Sequence, residues 1–116
     1  MATKNYGWIG VDLDGTLAYY DKWRGFDHIG EPIMPMVDRV KQWLAEGKKV
    51  KIFTARVSGR EGFDKARIVT LIQRWCQENI GQALPVTNVK DTAMRELWDD
   101  RAVQVIRNTG TPLTKP

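Results

Sequence analysis

The sequence predicts an α/β fold with a mostly parallel sheet and helices on both faces. Short apolar runs rich in β-branched and aromatic residues alternate with longer segments whose apolar residues recur at helical spacing. Glycines and prolines lie between these segments, where the chain has to turn. Strands that alternate with helices imply right-handed crossovers, which build parallel sheets.

Three strands are predicted at residues 8–12, 50–54 and 85–89, where the sequence is apolar and β-branched. The last strand has two alternatives. It lies either at residues 96–98, leading into Asp99-Asp100, or at residues 103–106, and both segments could be strands.

Helices are predicted between these strands. The first spans residues 36–46, with its apolar residues on one face. Ser58 and Glu61 form a possible capping box, and the helix behind it runs to about Asn79. A short third helix is predicted at residues 92–96.

The chain of 116 residues fits one domain, which we place at residues 1–107, followed by a flexible C-terminal tail at 108–116. A formal net charge of +4 suits an anionic ligand, of which nucleic acid is one kind, although a solvated surface also explains most of it. Cys76 is the single cysteine, so neither an intrachain disulfide nor a thiolate metal site is expected.

The sequence has neither the pattern of a signal peptide nor an apolar run long enough to span a membrane. We therefore expect a cytoplasmic protein that has no membrane partner.

Polar residues follow each predicted strand. In open parallel sheets, ligands bind beyond the carboxyl ends of the strands, so these residues predict a site at one edge of the sheet. The residues are Asp12, Asp14, Thr54, Lys90, Asp99 and Asp100.

Clustered carboxylates repel one another, and a hard dication removes that penalty. Mg²⁺ prefers oxygen ligands and commonly binds through one or two carboxylates together with a substrate phosphate. Asp12 with Asp100 or Asp99 would make such a site. His28 is the only histidine, which disfavours zinc.

The same residues suit phosphate chemistry. The Asp12 carboxylate can attack phosphorus, and Asp14 can protonate the leaving oxygen and later deprotonate a water. Thr54 can donate a hydrogen bond to the phosphoryl group, and Lys90 can neutralise its charge. Backbone N–H groups of residues 13–15 could form a small anion-binding concavity.

Four motifs resemble, in the same order, those of the haloacid dehalogenase superfamily of phosphatases. They are DLDGTL at 12–17, IFTAR at 52–56, VKD at 89–91 and DDR at 99–101. Together they span about residues 8–106, and the ordered set is far more specific than its first member alone.

The resemblance implies a Rossmann-like domain and Mg²⁺-dependent hydrolysis of a phosphomonoester through an aspartyl-phosphate. It makes Asp12 the nucleophile and a metal ligand, and Asp14 the acid/base whose backbone carbonyl also binds metal. Asp100, supported by Asp99, becomes a further metal ligand. The residues expected to bind substrate are Gly15, Thr54, Ala55, Arg56 and Lys90.

The segments between the motifs are short, so the chain resembles the capless branch of that superfamily. An uncapped site admits large substrates, or a second copy of the chain covers it. The details of the second and fourth motifs are nearest to the nucleotidase and polynucleotide 3′-phosphatase branches. The expected substrate is a small-molecule or nucleic-acid phosphate.

Two other functions use the same fold: a module that binds phosphate or nucleic acid without chemistry, and a phosphate-accepting regulatory domain. Asp14 argues against both. A pure binding module has no need of an acid/base beside a nucleophile, and in a regulatory domain Asp14 would speed loss of the phosphoryl group.

His28 is expected to be a loop residue without a catalytic role. Arg56 suits either a second anionic group on the substrate or a surface salt bridge. The aromatic-basic loop 19–26 either contacts substrate or packs on the domain.

Overall fold

A computed structural model describes residues 7–59 and 64–113, which form a four-stranded, all-parallel sheet with two α-helices. The predicted α/β, Rossmann-like fold class is confirmed. The strand order is β3-β2-β1-β4. The elements are β1 (Trp8–Val11), α1 (Met34–Ala45), β2 (Lys49–Phe53), a 3₁₀ turn (Ala55–Val57), α2 (Lys65–Asn79), β3 (Val86–Thr87) and β4 (Met94–Trp98).

Strand β1 lies in the middle of the sheet, and all four of its residues are buried. A strand covered on both faces needs a continuous apolar run, which this segment supplies. Val11 pairs with Ile52 of β2 on one side and with Trp98 of β4 on the other. The three strands therefore end at the same level, and the residues that follow them meet at one edge.

Both α-helices pack against the same face of the sheet, whereas the sequence predicted helices on both faces. The buried residues of α1 and α2 share one cluster with Ile9, Val11, Val50 and Ile52, whose side chains point to one face. The handedness of the crossovers explains this arrangement. The steps from β1 to β2 and from β2 to β3 go in the same direction, so right-handed crossovers place both helices on the same side.

The second face is crossed by the short segment 88–93, which leads from β3 to β4 at the opposite edge of the sheet. Trp8 points to this face and is almost fully buried. Its Nε1–H donates to Asp91 Oδ1 at 2.9 Å, and Lys51 Nζ lies 4.6 Å from the centroid of its ring. Trp8 and its contacts with segment 88–93 thus cover part of the second face of the sheet, on which no α-helix packs among the described residues.

The predicted helix at 92–96 is wrong, because β4 begins at Met94. The backbone N–H of Trp8 donates to Ala93 O at 2.9 Å, and pairing with β1 starts at the next residue. Tertiary pairing thus overrides local helix propensity. The first alternative for the last strand, at 96–98, is confirmed, and the strand starts two residues earlier.

The second alternative, a strand at 103–106, is not observed. Val105 makes only an isolated bridge to Pro112, and Leu113 N donates to Gln104 O at 2.7 Å. Residues 104–113 therefore form a small hairpin that includes the start of the predicted flexible tail.

The helix ends differ from the predicted ones. Helix α1 begins two residues earlier than predicted, with Pro35 in its first turn. Helix α2 begins at Lys65, and its N-cap is Asp64, whose side chain accepts from the N–H of Arg67. The predicted capping box is wrong, since Ser58 ends the 3₁₀ turn; its other member, Glu61, lies outside the described residues.

Cys76 lies in the core cluster, and burial raises the pKa of its thiol to about 11. It is a small buried apolar residue, as the sequence predicted. Among the described residues, neither helix combines the length and apolar character that a membrane span requires.

We expect Asp91→Ala to destabilise the protein, because it removes the acceptor that holds Trp8 Nε1 and the N–H of Ala93. The melting temperature should fall by a few degrees. Asp91→Asn should keep most of the stability, since an amide oxygen also accepts. Asp38→Ala, at an exposed position of α1, is the control in thermal and urea unfolding. Equal stability of Asp91→Ala and this control would show that the crossover does not depend on Asp91.

Candidate active site

Three carboxylates converge where β1 and β4 end. Asp12 directly follows β1, and Asp99 and Asp100 directly follow β4. The N–H of Asp12 donates to Trp98 O at 2.9 Å, which aligns the two strand ends. One oxygen from each carboxylate lies within 4.8 Å of the other two. The structure thus brings together the three side chains that the sequence predicted as metal ligands.

The environment of Asp12 disfavours its negative charge. Burial, followed by the charges and hydrogen bonding of Asp99 and Asp100, raises the pKa of Asp12 to about 7. A cation placed among the three carboxylates would offset the repulsion between their charges and would favour the ionised form of Asp12. The cluster therefore has the electrostatic character of a cation site.

A tight turn after Asp12 lets Asp100 approach. Gly15 has a φ of +91°, a conformation that glycine adopts readily in sharp turns, and a Cβ at this position would lie 2.6 Å from Asp100 Oδ2. The Thr16 hydroxyl donates to Asp100 Oδ1 at 3.1 Å and accepts from the N–H of Asp100 at 2.9 Å. Gly15 and Thr16 thus fix the position of Asp100. The sequence alone did not predict this role of Thr16, although the residue lies in the first motif.

Thr54 follows β2 and is buried. Its Oγ1 accepts from the N–H of Arg56 at 3.1 Å and so caps the 3₁₀ turn. This bond uses a lone pair and leaves the hydroxyl hydrogen available to donate. Thr54 lines the same cleft as the carboxylates, so its hydroxyl can serve as the predicted phosphate donor.

Asp14 is held by Arg56 in a two-pronged ion pair. Arg56 Nε donates to Asp14 Oδ2 at 2.8 Å, and Nη2 donates to Oδ1 at 2.7 Å. The Arg56 side chain is 5% exposed and that of Asp14 is 20% exposed. Of the two alternatives for Arg56, the structure shows a salt bridge, in which Arg56 is buried and Asp14 is partly buried.

Arg56 also fixes the loop above the site. Its guanidinium donates to the backbone carbonyl oxygens of Phe26 and His28 at 3.2 and 2.9 Å. Its Cζ lies 4.9 Å from the centroid of the Trp23 ring. Only the backbone of His28 takes part in these contacts. Arg56 thus joins the ends of β1 and β2 to the loop.

An open cleft of about 630 Å³ lies over these groups. The predicted residues Asp12, Asp14, Thr54, Ala55, Arg56, Asp99 and Asp100 line it, together with Tyr20, Trp23, Phe26, Phe53, Ser58 and Arg101. Gly15 lies beside it, in a groove behind Asp100.

Lys90 does not line this cleft. It lies in segment 88–93, which crosses the second face of the sheet, and its side chain is exposed. The sequence motif predicts it directly at the end of a strand, whereas β3 ends at Thr87, three residues before Lys90.

The sequence left open whether loop 19–26 faces the substrate or packs on the domain, and different residues of the loop do each. Phe26 is partly buried and packs against the core cluster. Tyr20 and Trp23 line the cleft and are each 44% exposed. Phe26 therefore anchors the loop, whereas the other two aromatics face the open space of the cleft.

The donor set of the carboxylate cluster fits a hard cation. It consists of oxygen atoms from Asp12, Asp99 and Asp100, and no histidine or cysteine belongs to it. The Asp14 carboxylate is occupied by Arg56, so any contribution of Asp14 to a metal would come from its backbone oxygen.

No family model matches the sequence, and no curated protein matches it. Among solved structures, the chain is similar to a conserved protein coded by a locus of Bacteroides thetaiotaomicron. The two are 24% identical, with a TM-score of 0.56, and the match covers 85% of this chain and 79% of the other. At this identity the similarity concerns the fold alone.

The raised pKa of Asp12 predicts how stability depends on pH without metal. Between the usual aspartate pKa of 3.8 and the raised pKa of about 7, the folded protein binds more protons than the unfolded chain. The free energy of unfolding should therefore fall as the pH rises through this range. Asp12→Asn should lose this decline and should be more stable than the unmodified protein at about pH 8.

Thermal unfolding in a chelator from about pH 5 to pH 8 measures this effect. Asp38→Asn, outside the cluster, is the control. Adding Mg²⁺ at the upper pH should raise the melting temperature of the unmodified protein more than that of Asp12→Asn. Parallel pH curves for the protein and both variants would contradict the prediction.

Gly15→Ala should impair cation binding at the cluster, because the new Cβ would displace the Asp100 carboxylate. The positive φ adds strain on the order of 1–2 kcal/mol. Gly81→Ala is a matched control, since Gly81 has a φ of +104° and nothing within 4 Å of the added Cβ. Both variants should lose stability from strain.

Calorimetric titration with Mg²⁺ distinguishes the two variants. Only Gly15→Ala should bind the ion at least about tenfold more weakly, as expected when one ligand of a small set is misplaced. Equal affinity in both variants would show that the position of Asp100 does not matter for binding.

Proposed function

We propose that the protein is a Mg²⁺-dependent phosphomonoester hydrolase that acts through an aspartyl-phosphate on Asp12. One observation carries the proposal: the Asp12–Asp99–Asp100 cluster shares a cleft with the Thr54 hydroxyl and with Asp14. A cleft of about 630 Å³ is large enough for a small phosphorylated molecule or the end of a larger one.

Asp12, Asp99 and Asp100 would hold the Mg²⁺ ion. When bound, the ion supplies positive charge that offsets the carboxylates and the negative charge of a phosphate. It also favours ionised Asp12, whose pKa is otherwise raised to about 7.

In the first step, the ionised carboxylate of Asp12 attacks phosphorus. A bond forms between a carboxylate oxygen and phosphorus, and the bond from phosphorus to the leaving oxygen breaks. Asp14 transfers a proton to the leaving oxygen, so an alcohol departs. The Thr54 hydroxyl donates to a phosphoryl oxygen on which negative charge increases.

In the second step, water attacks the phosphorus of the aspartyl-phosphate. Asp14, now ionised, takes a proton from this water. The bond between phosphorus and the Asp12 oxygen breaks, which releases inorganic phosphate and restores the Asp12 carboxylate. Asp14 has regained the proton that it gave in the first step.

The pair of Asp14 with Arg56 sets a condition for this cycle. Arg56 binds both carboxylate oxygens of Asp14, which suits its ionised form and the second step. The first step requires one oxygen of Asp14 to release Arg56, to carry a proton and to face the leaving oxygen, while the other oxygen keeps its bond to Arg56. The Asp14 side chain lines the cleft, so this requires a change of rotamer and no opening of the core.

The position of Lys90 favours a second candidate function, a module that binds a phosphate-bearing ligand without turning it over. Lys90 does not line the cleft, so the expected ammonium is not beside the phosphate site. Asp14 argues for the hydrolase, because a binding module has no need of a second carboxylate beside the first.

Phosphate release in Mg²⁺ tests the proposal, with nucleoside monophosphates, a 3′-phosphorylated oligonucleotide, ribose 5-phosphate and an aryl phosphate as substrates. Asp12→Asn should lower kcat by at least about a thousandfold, because the amide is a poor nucleophile. Asp38→Asn, which lies outside the cleft, should retain full activity.

Asp12→Asn should also unfold cooperatively, so that its loss of turnover can be assigned to chemistry. Full activity in Asp12→Asn would refute the nucleophile. Mg²⁺-dependent binding of these phosphates without release from any of them would favour the binding module.

A further inference from the structure

We propose that Trp23, which lines the cleft together with Tyr20, is a stacking surface for a nucleobase, and that the phosphate hydrolysed at this site belongs to a nucleotide. This inference rests on the proposed function and specifies its substrate. Such a substrate has a flat heteroaromatic base that is joined through a sugar to a terminal phosphate. Free nucleotides and the ends of nucleic-acid strands both have this chemistry.

The Trp23 ring is held from within the protein. The Arg56 guanidinium lies over the ring, with Cζ 4.9 Å from its centroid. Phe26 packs against Trp23 almost perpendicularly, at 80° with 4.8 Å between the ring centroids. Arg56 is itself fixed by Asp14 and two backbone carbonyls, so it is a rigid support.

The same ring is nevertheless 44% exposed, and it lines the cleft. A tryptophan that only fastened the loop would bury nearly all of its area, as Trp8 of β1 does at 3% exposure. Tyr20 lines the cleft as well and is equally exposed. The cleft thus presents aromatic surface to the space above the carboxylates.

The contacts of Trp23 indicate what stacks there. The Arg56 guanidinium lies against the Trp23 ring and pairs with the carboxylate of Asp14, which lies two residues after Asp12 in the chain. An aryl group bonded directly to the phosphate would remain near Asp12. A base set back from its phosphate by a sugar would reach Trp23.

Stacking also suits the charges of the site. A base is neutral and polarisable, so it adds no further repulsion to a cleft that contains four aspartates. A stacked base contributes appreciable affinity whatever its identity, because every base has a π-face. We therefore expect a preference for nucleotides over sugar phosphates, with modest discrimination among bases.

The test compares kcat/KM for adenosine 5′-monophosphate and ribose 5-phosphate, which differ by the base. Trp23→Ala should lower the ratio of these two values about tenfold, and Trp23→Phe should lower it much less. Tyr19→Ala is the matched control. Tyr19 belongs to the same loop and is 62% exposed, but it does not line the cleft.

A 3′-phosphorylated oligonucleotide and the same oligonucleotide with an abasic 3′-terminal sugar form a second pair. A greater effect of Trp23→Ala on this pair than on the first would identify strand ends as the source of the base. A greater effect on the mononucleotide pair would identify free nucleotides. A phosphotyrosine peptide that is preferred over both nucleotide substrates would overturn the proposal.

Equal losses for the substrates with and without a base would also overturn it, since Trp23 would then act only through Arg56. Binding of the same ligands to Asp12→Asn in Mg²⁺ separates this inference from the proposed function. If nothing is hydrolysed, a Trp23-dependent preference for the base in binding still supports the stacking surface. Equal binding with and without a base refutes it.

Discussion

The ion pair between Arg56 and Asp14 is the interaction on which the site depends. It joins the turn after β1 to the turn after β2, and the same guanidinium holds the loop through Phe26 O and His28 O. Removal of Asp14 would leave the buried guanidinium of Arg56 without its charged partner, which destabilises the folded protein. Arg56 therefore connects the carboxylates at the edge of the sheet to the aromatic residues of loop 19–26.

The sheet determines which side chains can meet at this edge. Because β1 pairs with β2 and β4 in register at Val11, the residues that follow these strands lie at one level. The connection from β3 to β4 has a different consequence. With both α-helices on one face, segment 88–93 passes over the other face, where Asp91 binds Trp8. Lys90 belongs to this segment and is thereby kept out of the cleft.

Sequence reasoning succeeded where a residue directly follows a strand. Asp12, Thr54, Asp99 and Asp100 were predicted at the carboxyl edge, and the parallel sheet brings them there. The helix predicted at residues 92–96 is wrong, because this segment pairs with β1, which is distant in the chain, and local propensity does not reflect such pairing. Arg56 and Asp14 lie 42 positions apart in the chain. The sequence alone therefore could not decide whether Arg56 pairs with an acid of the protein or with a second anionic group of the substrate.

The stability of the fold and the chemistry of the site make opposite demands on Asp12. Burial beside Asp99 and Asp100 raises its pKa to about 7, so ionised Asp12 destabilises the folded protein. The proposed nucleophilic attack requires that ionised form. A cation at the cluster would satisfy both demands, because it would stabilise the folded state and the carboxylate together. Gly15 and Thr16 hold Asp100 in the cluster in advance, so a cation would bind to carboxylates that are already in place.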